Sequence, residues 1–477
     1  MTAKRSPPKT LVIDARITDA GIDILVNEDA FPIRYPQEIW AQYPQHLKKI
    51  LRDNLAYSTT LYLPQMFGLP RAELKTSRPI AETFLFKNGI YDMPICALTD
   101  EASSVKYVQD FFNTDWAFKD NEIATPDAVD FSRKEGEPPR AIVPFSFGKE
   151  SLLSFALSRE LGIEPVPVLF IEPANTFEYE HKKGLIEKFQ KEFDTTVYVV
   201  EFSPGIFRYG TYWGLKTELG WGLHTTEYAA LLTLPFAYAL NAQYTFPGNE
   251  QSCNDIFIDR EGIRTYKAGY DQHSDWLAQQ TLLATMLLGR KMEVISLMEP
   301  LYELAITFML HHRYPEIGKY QMSCFADSEH GRSHRWCQHC TKCGYMYALC
   351  CGVGVPPAQA GFTENLFEKK FEGIYDHFFG YDPKHPIYGS QDELGTAFML
   401  AERAGHTGES MDRFRKGLLP HMQEREEQLL EQYLGLSPEW NLPTAFREPL
   451  MKIFAEETKL VREQVRQASG TVAAPHG

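Results

Sequence analysis

Residues 140–161 read R-A-I-V-P-F-S-F-G-K-E-S-L-L-S-F-A-L-S-R-E-L. An apolar run over 140–146 predicts a buried strand, and residues 146–151 make a short turn with one glycine and two serines. The spacing of Leu152, Phe155, Ala156 and Leu157 then predicts a helix over 150–161. Where a loop opens a helix in this way, backbone N–H groups and the positive end of the helix dipole both favour an anion, so the turn is a candidate phosphate loop. The G-x-x-x-x-G-K-[ST] spacing of a Walker A loop is absent. An ordinary strand-to-helix junction has the same outline, and the turn alone does not separate the two.

The pattern continues outward from this unit. Residues 166–171 and 196–202 predict strands on either side of a helix over 177–193, and an apolar helix over 225–240 leads to a strand at 244–246. Strands separated by helices of this length predict an α/β fold with a doubly wound parallel sheet, whose ligands lie beyond the carboxyl ends of the strands. Three loops occupy such ends: 146–151, 171–176 (I-E-P-A-N-T) and 247–255 (P-G-N-E-Q-S-C-N-D). The second is placed for a nucleotide's adenine and ribose. The third gathers Asn249, Glu250, Asn254 and Asp255. Glu250 or Asp255 suits Mg²⁺, which keeps its waters and takes one or two carboxylates; the alternative is a plain Asn/Gly turn. The polar run Asp271, Gln272, His273, Ser274 precedes a helix over 276–288. Its histidine is either a proton carrier or a helix cap.

Six of the eight cysteines fall between positions 324 and 351. Cys324, Cys337, Cys340 and Cys343 have two tight C-x-x-C steps, the ligand pattern of a closed four-thiolate zinc site. A redox C-x-x-C pair and an iron–sulfur cluster are the rival readings. Cys350 and Cys351 lie in an apolar helical stretch over 345–351 and are expected in the core.

The chain of 477 residues has room for two or three domains. No apolar run is long enough to span a membrane, and no apolar segment follows the basic N-terminus as a signal peptide requires, so cytoplasm is the expectation. The formal net charge of -15 argues against a nucleic-acid partner held by a broad basic face, while leaving room for a local phosphate pocket. Residues 1–139 predict an α+β region of unknown role, with strands at 10–17 and 79–91 around a helix at 43–56. Residues 140–355 form the nucleotide domain with its cysteine cluster. Residues 356–477 read as mainly helical, over 367–379, 392–404, 412–434 and 445–467.

The turn S-F-G-K-E-S resembles the PP-loop, the S-G-G-x-D-S pyrophosphate-binding signature of enzymes that split ATP into AMP and pyrophosphate; Ser146, Gly148 and Ser151 match, with Phe147 in place of a glycine and Glu150 in place of the aspartate. Followed by G-N-E-Q-S-C-N at 248–254 and W-C-Q-H-C-T-K-C at 336–343, it resembles the MurL-type UDP-N-acetylmuramoyl-L-alanyl-L-glutamate epimerases over about 140–404. The resemblance implies a HUP-like nucleotide domain in which Ser146, Phe147, Gly148, Lys149, Glu150 and Ser151, with Gly248, Asn249, Glu250, Asn254 and Asp255, bind ATP and Mg²⁺. It also implies a carboxylate activated as its acyl adenylate, an α-proton then acidic enough to remove and return, and a nucleotide-linked peptide as substrate. Glu227 and His273 are the candidates for proton transfer, and Lys149 adds positive charge at the phosphates. Two departures bear on this. The family loop is closer to G-G-G-K-D-S, and the family's cysteine in K-P-F-x-C-V-G has no counterpart in H-P-I-Y-G at 385–389. A ligase or amidotransferase like the 7-cyano-7-deazaguanine synthases, which lack the G-N-E-x-S-x-N segment, and a non-catalytic nucleotide-binding scaffold are the other readings. A tRNA-modifying PP-loop enzyme fits the charge balance poorly.

Overall fold

A computed structural model describes residues 9–128, 136–172, 176–217, 219, 224–323, 335–380, 390–438, 441–442 and 444–471. The strands in chain order are β1 (Val12–Thr18), β2 (Gly21–Val26), β3 (Asp29–Arg34), β4 (Arg71–Leu74), β5 (Asp115–Phe118), β6 (Arg140–Pro144), β7 (Glu164–Ile171), β8 (Tyr198–Phe202), β9 (Tyr244–Thr245), β10 (Ile256–Ile258), β11 (Arg264–Tyr266) and β12 (Glu293–Val294). All but the β10–β11 hairpin join one ten-stranded, mostly parallel sheet of order β12-β9-β6-β7-β8-β3-β2-β1-β4-β5. The fold is therefore α/β, as the strand–helix alternation predicts.

Within the sheet, β12, β9, β6, β7 and β8 run parallel. In chain order this is the 3-2-1-4-5 arrangement of doubly wound nucleotide-binding sheets, which reverses direction between its first and fourth strands, here β6 and β9. Both faces of β6 are buried, as an interior parallel strand requires. Ala141 and Val143 enter one hydrophobic core with the helices Lys149–Glu160, Glu303–His312 and Thr341–Gly352, while Ile142 enters a second core with Gln45–Thr60 and Ser274–Leu288.

The first region is not a separate sheet. β3 pairs antiparallel with β8 through Ile33 and Phe202, so the N-terminal strands continue the parallel sheet formed by residues after 139. Four local expectations are corrected. The strand expected at 79–91 is part of a helix, Glu82–Thr99, whose buried Leu85, Gly89, Met93 and Cys96 follow helical spacing. The single helix expected at 225–240 is broken into Thr225–Ala229, a 3-10 turn and Leu234–Ala239, with Pro235 in the first turn of the last piece, where its missing N–H costs nothing. The helix expected at 412–434 is three helices, Glu409–Gly417, Leu419–Glu424 and Glu426–Tyr433, the second opened by Pro420. The helix expected at 367–379 is a 3-10 stretch, Lys369–Tyr375, running into the short helix Asp376–Phe379. Among the described residues no helix is long and apolar enough to cross a membrane.

Candidate functional site

The turn after β6 faces the loop after β9 across the switch point. Ser151 Oγ donates to the carbonyl of Gly148 at 3.0 Å and accepts from the Ser146 N–H at 3.3 Å, while Ser146 Oγ accepts from the Gly148 N–H at 3.2 Å. Both serines thus hold the loop in shape. Among the described residues no side chain caps the Lys149–Glu160 helix at Gly148, so the first-turn N–H groups keep their capacity to receive an anion. Phe147 has φ 60°, the left-handed region that glycine enters at no steric cost. Its ring is fully buried, 4.7 Å from Phe145 and 5.7 Å from Phe189, and its carbonyl accepts from the Met322 N–H at 2.7 Å. Aromatic burial therefore holds a non-glycine residue where the PP-loop signature has glycine.

The two loops are in direct contact. A Cβ on Gly248 would fall 2.4 Å from Cβ of Glu150, so only glycine allows this approach. Behind them lies a buried charge centre. Lys149 is fully buried, and its ammonium donates to both Glu150 and Glu303. Burial alone would push that ammonium down; the two carboxylates more than reverse it. Burial pushes Glu303 up, but Lys149 and Lys342, with a hydrogen bond from the Tyr345 hydroxyl at 3.0 Å, bring it below the ordinary carboxylate range. Glu250, whose carboxylate accepts from the Ser252 N–H at 2.7 Å, is pushed up to about 8 by burial and then by the charge of Glu303. Glu393, fully buried and accepting from the Leu304 N–H at 2.8 Å, is held well above its usual range by burial, Glu303 and Glu250. The second oxygen of Glu393 has no hydrogen-bond partner among the described residues.

The other expected site residues are placed differently. Asn249 donates to the carbonyl of Gln272 at 2.6 Å, and Asn254 accepts from the N–H and hydroxyl of Ser274 at 2.9 and 2.7 Å, so both tie loops together. Asp255 lies 3.6 Å from Lys267, outside the Lys149 network. His273 caps its helix, Nδ1 accepting from the Asp275 N–H at 3.0 Å. Glu227 is buried beside His224, off the ends of β7 and β8. Of the loop at 171–176, Glu172 is described; it accepts from Arg208 at 2.7 Å and from the Tyr228 hydroxyl. Residues 385–389 lie outside the described residues.

Cys337, Cys340 and Cys343 converge, with Sγ separations of 3.6 Å (337 to 343) and 3.5 Å (340 to 343). Thiolates bound at about 2.3 Å around a tetrahedral zinc stand about 3.8 Å apart, so these three fit such an ion and could bind a metal such as zinc. Cys340 caps the Thr341–Gly352 helix, its sulfur accepting from the Cys343 N–H at 3.4 Å. Cys324, the expected fourth ligand, lies outside the described residues. Cys350 and Cys351 are fully buried in the core, as expected. The helix capped by Cys340 carries Lys342 and Tyr345, both acting on Glu303, so the cysteine cluster is one helical turn from the charge centre.

Glu303, Glu393 and Tyr345 are absent from the sequence-based site. The signal for Glu303 and Glu393 is an acidic residue directly before an apolar helical run, E-L-A-I-T-F-M-L at 303–310 and E-L-G-T-A-F-M-L at 393–400. Such a residue is buried with its helix and must find a partner there. Neither a family model nor a curated protein matches this chain.

Proposed function

We propose that this protein is an ATP-dependent, carboxylate-activating enzyme that forms an acyl adenylate and pyrophosphate, and that it epimerises the terminal L-glutamate of UDP-MurNAc-L-Ala-L-Glu or a related peptide. The observation that carries this reading is the meeting of residues 146–151 with Gly248 at the switch point of a 3-2-1-4-5 sheet, where nucleotides bind in such folds. The uncapped helix end at Gly148 supplies N–H groups for phosphate, and Ser146 and Ser151 hold the turn that presents them.

The donor set suits a hard cation. Glu150 meets Gly248 where the two loops touch and Glu250 lies two residues on, so these two side chains would hold Mg²⁺, Glu250 giving up its proton as the cation binds. When bound, the ion neutralises the pyrophosphate as it leaves. A substrate carboxylate oxygen attacks the α-phosphorus of ATP, the bond to the pyrophosphate oxygen breaks, and the carboxylate becomes an acyl adenylate. Loss of the carboxylate's negative charge acidifies the neighbouring α C–H, which a base removes and an acid restores from the other face. Hydrolysis then releases AMP and the inverted peptide. Three thiolates closing on zinc would anchor the helix that carries Lys342 and Tyr345 to the centre.

One observation favours a second reading, a non-catalytic nucleotide-binding scaffold: the charge of Lys149 is met by Glu150 and Glu303. A pyrophosphate-release assay in D₂O with ATP, Mg²⁺ and UDP-MurNAc-L-Ala-L-Glu separates the readings. Pyrophosphate with one deuterium at the glutamate α-carbon is expected. Pyrophosphate without deuterium would indicate a ligase that uses an amine, and ATP binding without pyrophosphate would indicate the scaffold.

A further inference from the structure

A second buried cluster lies along the same carboxyl edge of the sheet. His224 is 2% exposed and Glu227 1% exposed, and His224 Nδ1 stands 3.7 Å from Glu227 Oε2. Neither ring nitrogen of His224 and not that oxygen of Glu227 has a hydrogen-bond partner among the described residues. A buried polar group without a partner is costly, and here three such atoms belong to two neighbouring titratable side chains. Arg208 Nε is idle in the same way. Arg208 and His224 line one cavity with Thr59 and Tyr62, and its volume of about 10 Å³ is the room of a single water.

The cluster is placed by the strands. The ring of His224 meets Phe202, the last residue of β8, edge-on at 5.3 Å. Tyr228, one helical turn on, stacks against Phe170 near the end of β7 at 5.1 Å and donates to Glu172. β8 is two strands from β6, about 10 Å at the usual strand spacing. The N-terminal region contributes Thr59 and Tyr62, which gives that region a part in the site.

We propose that His224 and Glu227 form the dyad that removes the α-proton of the activated substrate, and that Tyr62 returns a proton to the opposite face. The proposal rests on the carboxylate-activating reading. His224 Nε2 takes the proton, the C–H electron pair moves onto the acyl oxygen, and Glu227 stabilises the resulting imidazolium. Tyr62 is the acid because the other ionisable residues lining the cavity are His224 itself and Arg208, which does not deprotonate. Its phenol proton goes to the carbon as the electron pair returns from oxygen. Solvent then removes the proton from His224 and restores the one on Tyr62, so no oxidant or reductant takes part. The cavity admits one water, and a substrate carbon reaches the dyad when the surrounding side chains move apart.

The test is deuterium incorporated per pyrophosphate released, measured in D₂O with UDP-MurNAc-L-Ala-L-Glu for wild type, His224→Asn, the isosteric Glu227→Gln, and Tyr62→Phe. General acid–base groups contribute about 10²–10⁴-fold, so the ratio is expected to fall at least 100-fold in His224→Asn and Glu227→Gln. Tyr62→Phe is expected to exchange deuterium without inverting the centre. A wild-type ratio in the two dyad variants would overturn the proposal, whatever their pyrophosphate rate. The nitrogen shifts of the His224 ring, read by NMR on ¹⁵N-histidine-labelled protein, judge the dyad without substrate. A change between wild type and Glu227→Gln is expected, and identical shifts would overturn the pairing. Absence of pyrophosphate from wild type would instead count against the carboxylate-activating reading.

Discussion

Replacing Lys149 with methionine keeps the volume and length of the side chain and removes the ammonium that faces Glu150 and Glu303. Glu150 is partly exposed and can turn to water; Glu303 is buried and cannot. Removing one partner of a buried ion pair costs about 3–5 kcal/mol. Here the hydrogen bond from Tyr345 and the charge of Lys342 remain, so the lower end of that range, about 3 kcal/mol, is expected. The cost depends on pH in a direction the structure sets. In wild type Glu303 lies below the ordinary carboxylate range, so its stabilisation is complete above about pH 4.3 and is lost as pH falls through its folded value. In Lys149→Met the effect of burial dominates and the folded pKa rises above the unfolded one. The variant's penalty is then small in acid and grows as pH rises. Urea unfolding followed by tryptophan fluorescence at pH 5 and pH 8 should show a wider gap from wild type at pH 8. The double variant Lys149→Met/Glu303→Gln should recover most of the loss. A shift under about 1 kcal/mol at pH 8, or no recovery in the double variant, would refute a buried, charged pair.

Other expectations follow from single geometric facts. Phe147→Ala should destabilise by about 3–5 kcal/mol through loss of ring burial, and Phe147→Gly, freed of the left-handed strain, should be more stable than the alanine variant by about 1–2 kcal/mol in the same urea assay. Gly248→Ala should cost about 1–3 kcal/mol by overpacking against Glu150 and should slow pyrophosphate release; an unaffected variant would mean the two loops do not need this contact. Cys340→Ser should lower the zinc found per chain by elemental analysis and lower the thermal midpoint together. Because the folded pKa of Glu250 is raised to about 8, wild type loses stability as pH rises from about 4.3 toward that value, so Glu250→Gln should gain on wild type over the same interval in thermal unfolding.

Much of the parallel half of the sheet was legible because local pattern and tertiary role agree there. The apolar run of β6, the serine-rich turn and the helix behind it depend on neighbours in sequence, and the parallel order follows from the crossover helices. The cysteine spacing likewise brings Cys337, Cys340 and Cys343 together within one short loop and a helix cap. Local pattern misled where packing overrode it. The stretch at 79–91 reads as a strand, yet Leu85, Gly89, Met93 and Cys96 are buried along a helix face. Pro235 and Pro420 open new helices inside what reads as one apolar and one charged continuous helix.

By itself the sequence determined the α/β class, the strand–turn–helix unit around 146–151, the second loop at 247–255 and the C-x-x-C steps, because each is a property of spacing along a few residues. Only the tertiary structure decided that β3 joins β8 and makes one sheet of both regions, that Lys149 faces Glu303 across 154 residues, and that His224 lines one cavity with Tyr62. These are meetings of segments far apart in the chain. Burial, which makes an unpaired charge or donor costly, selects them, and no local periodicity records which distant partner a buried group has found.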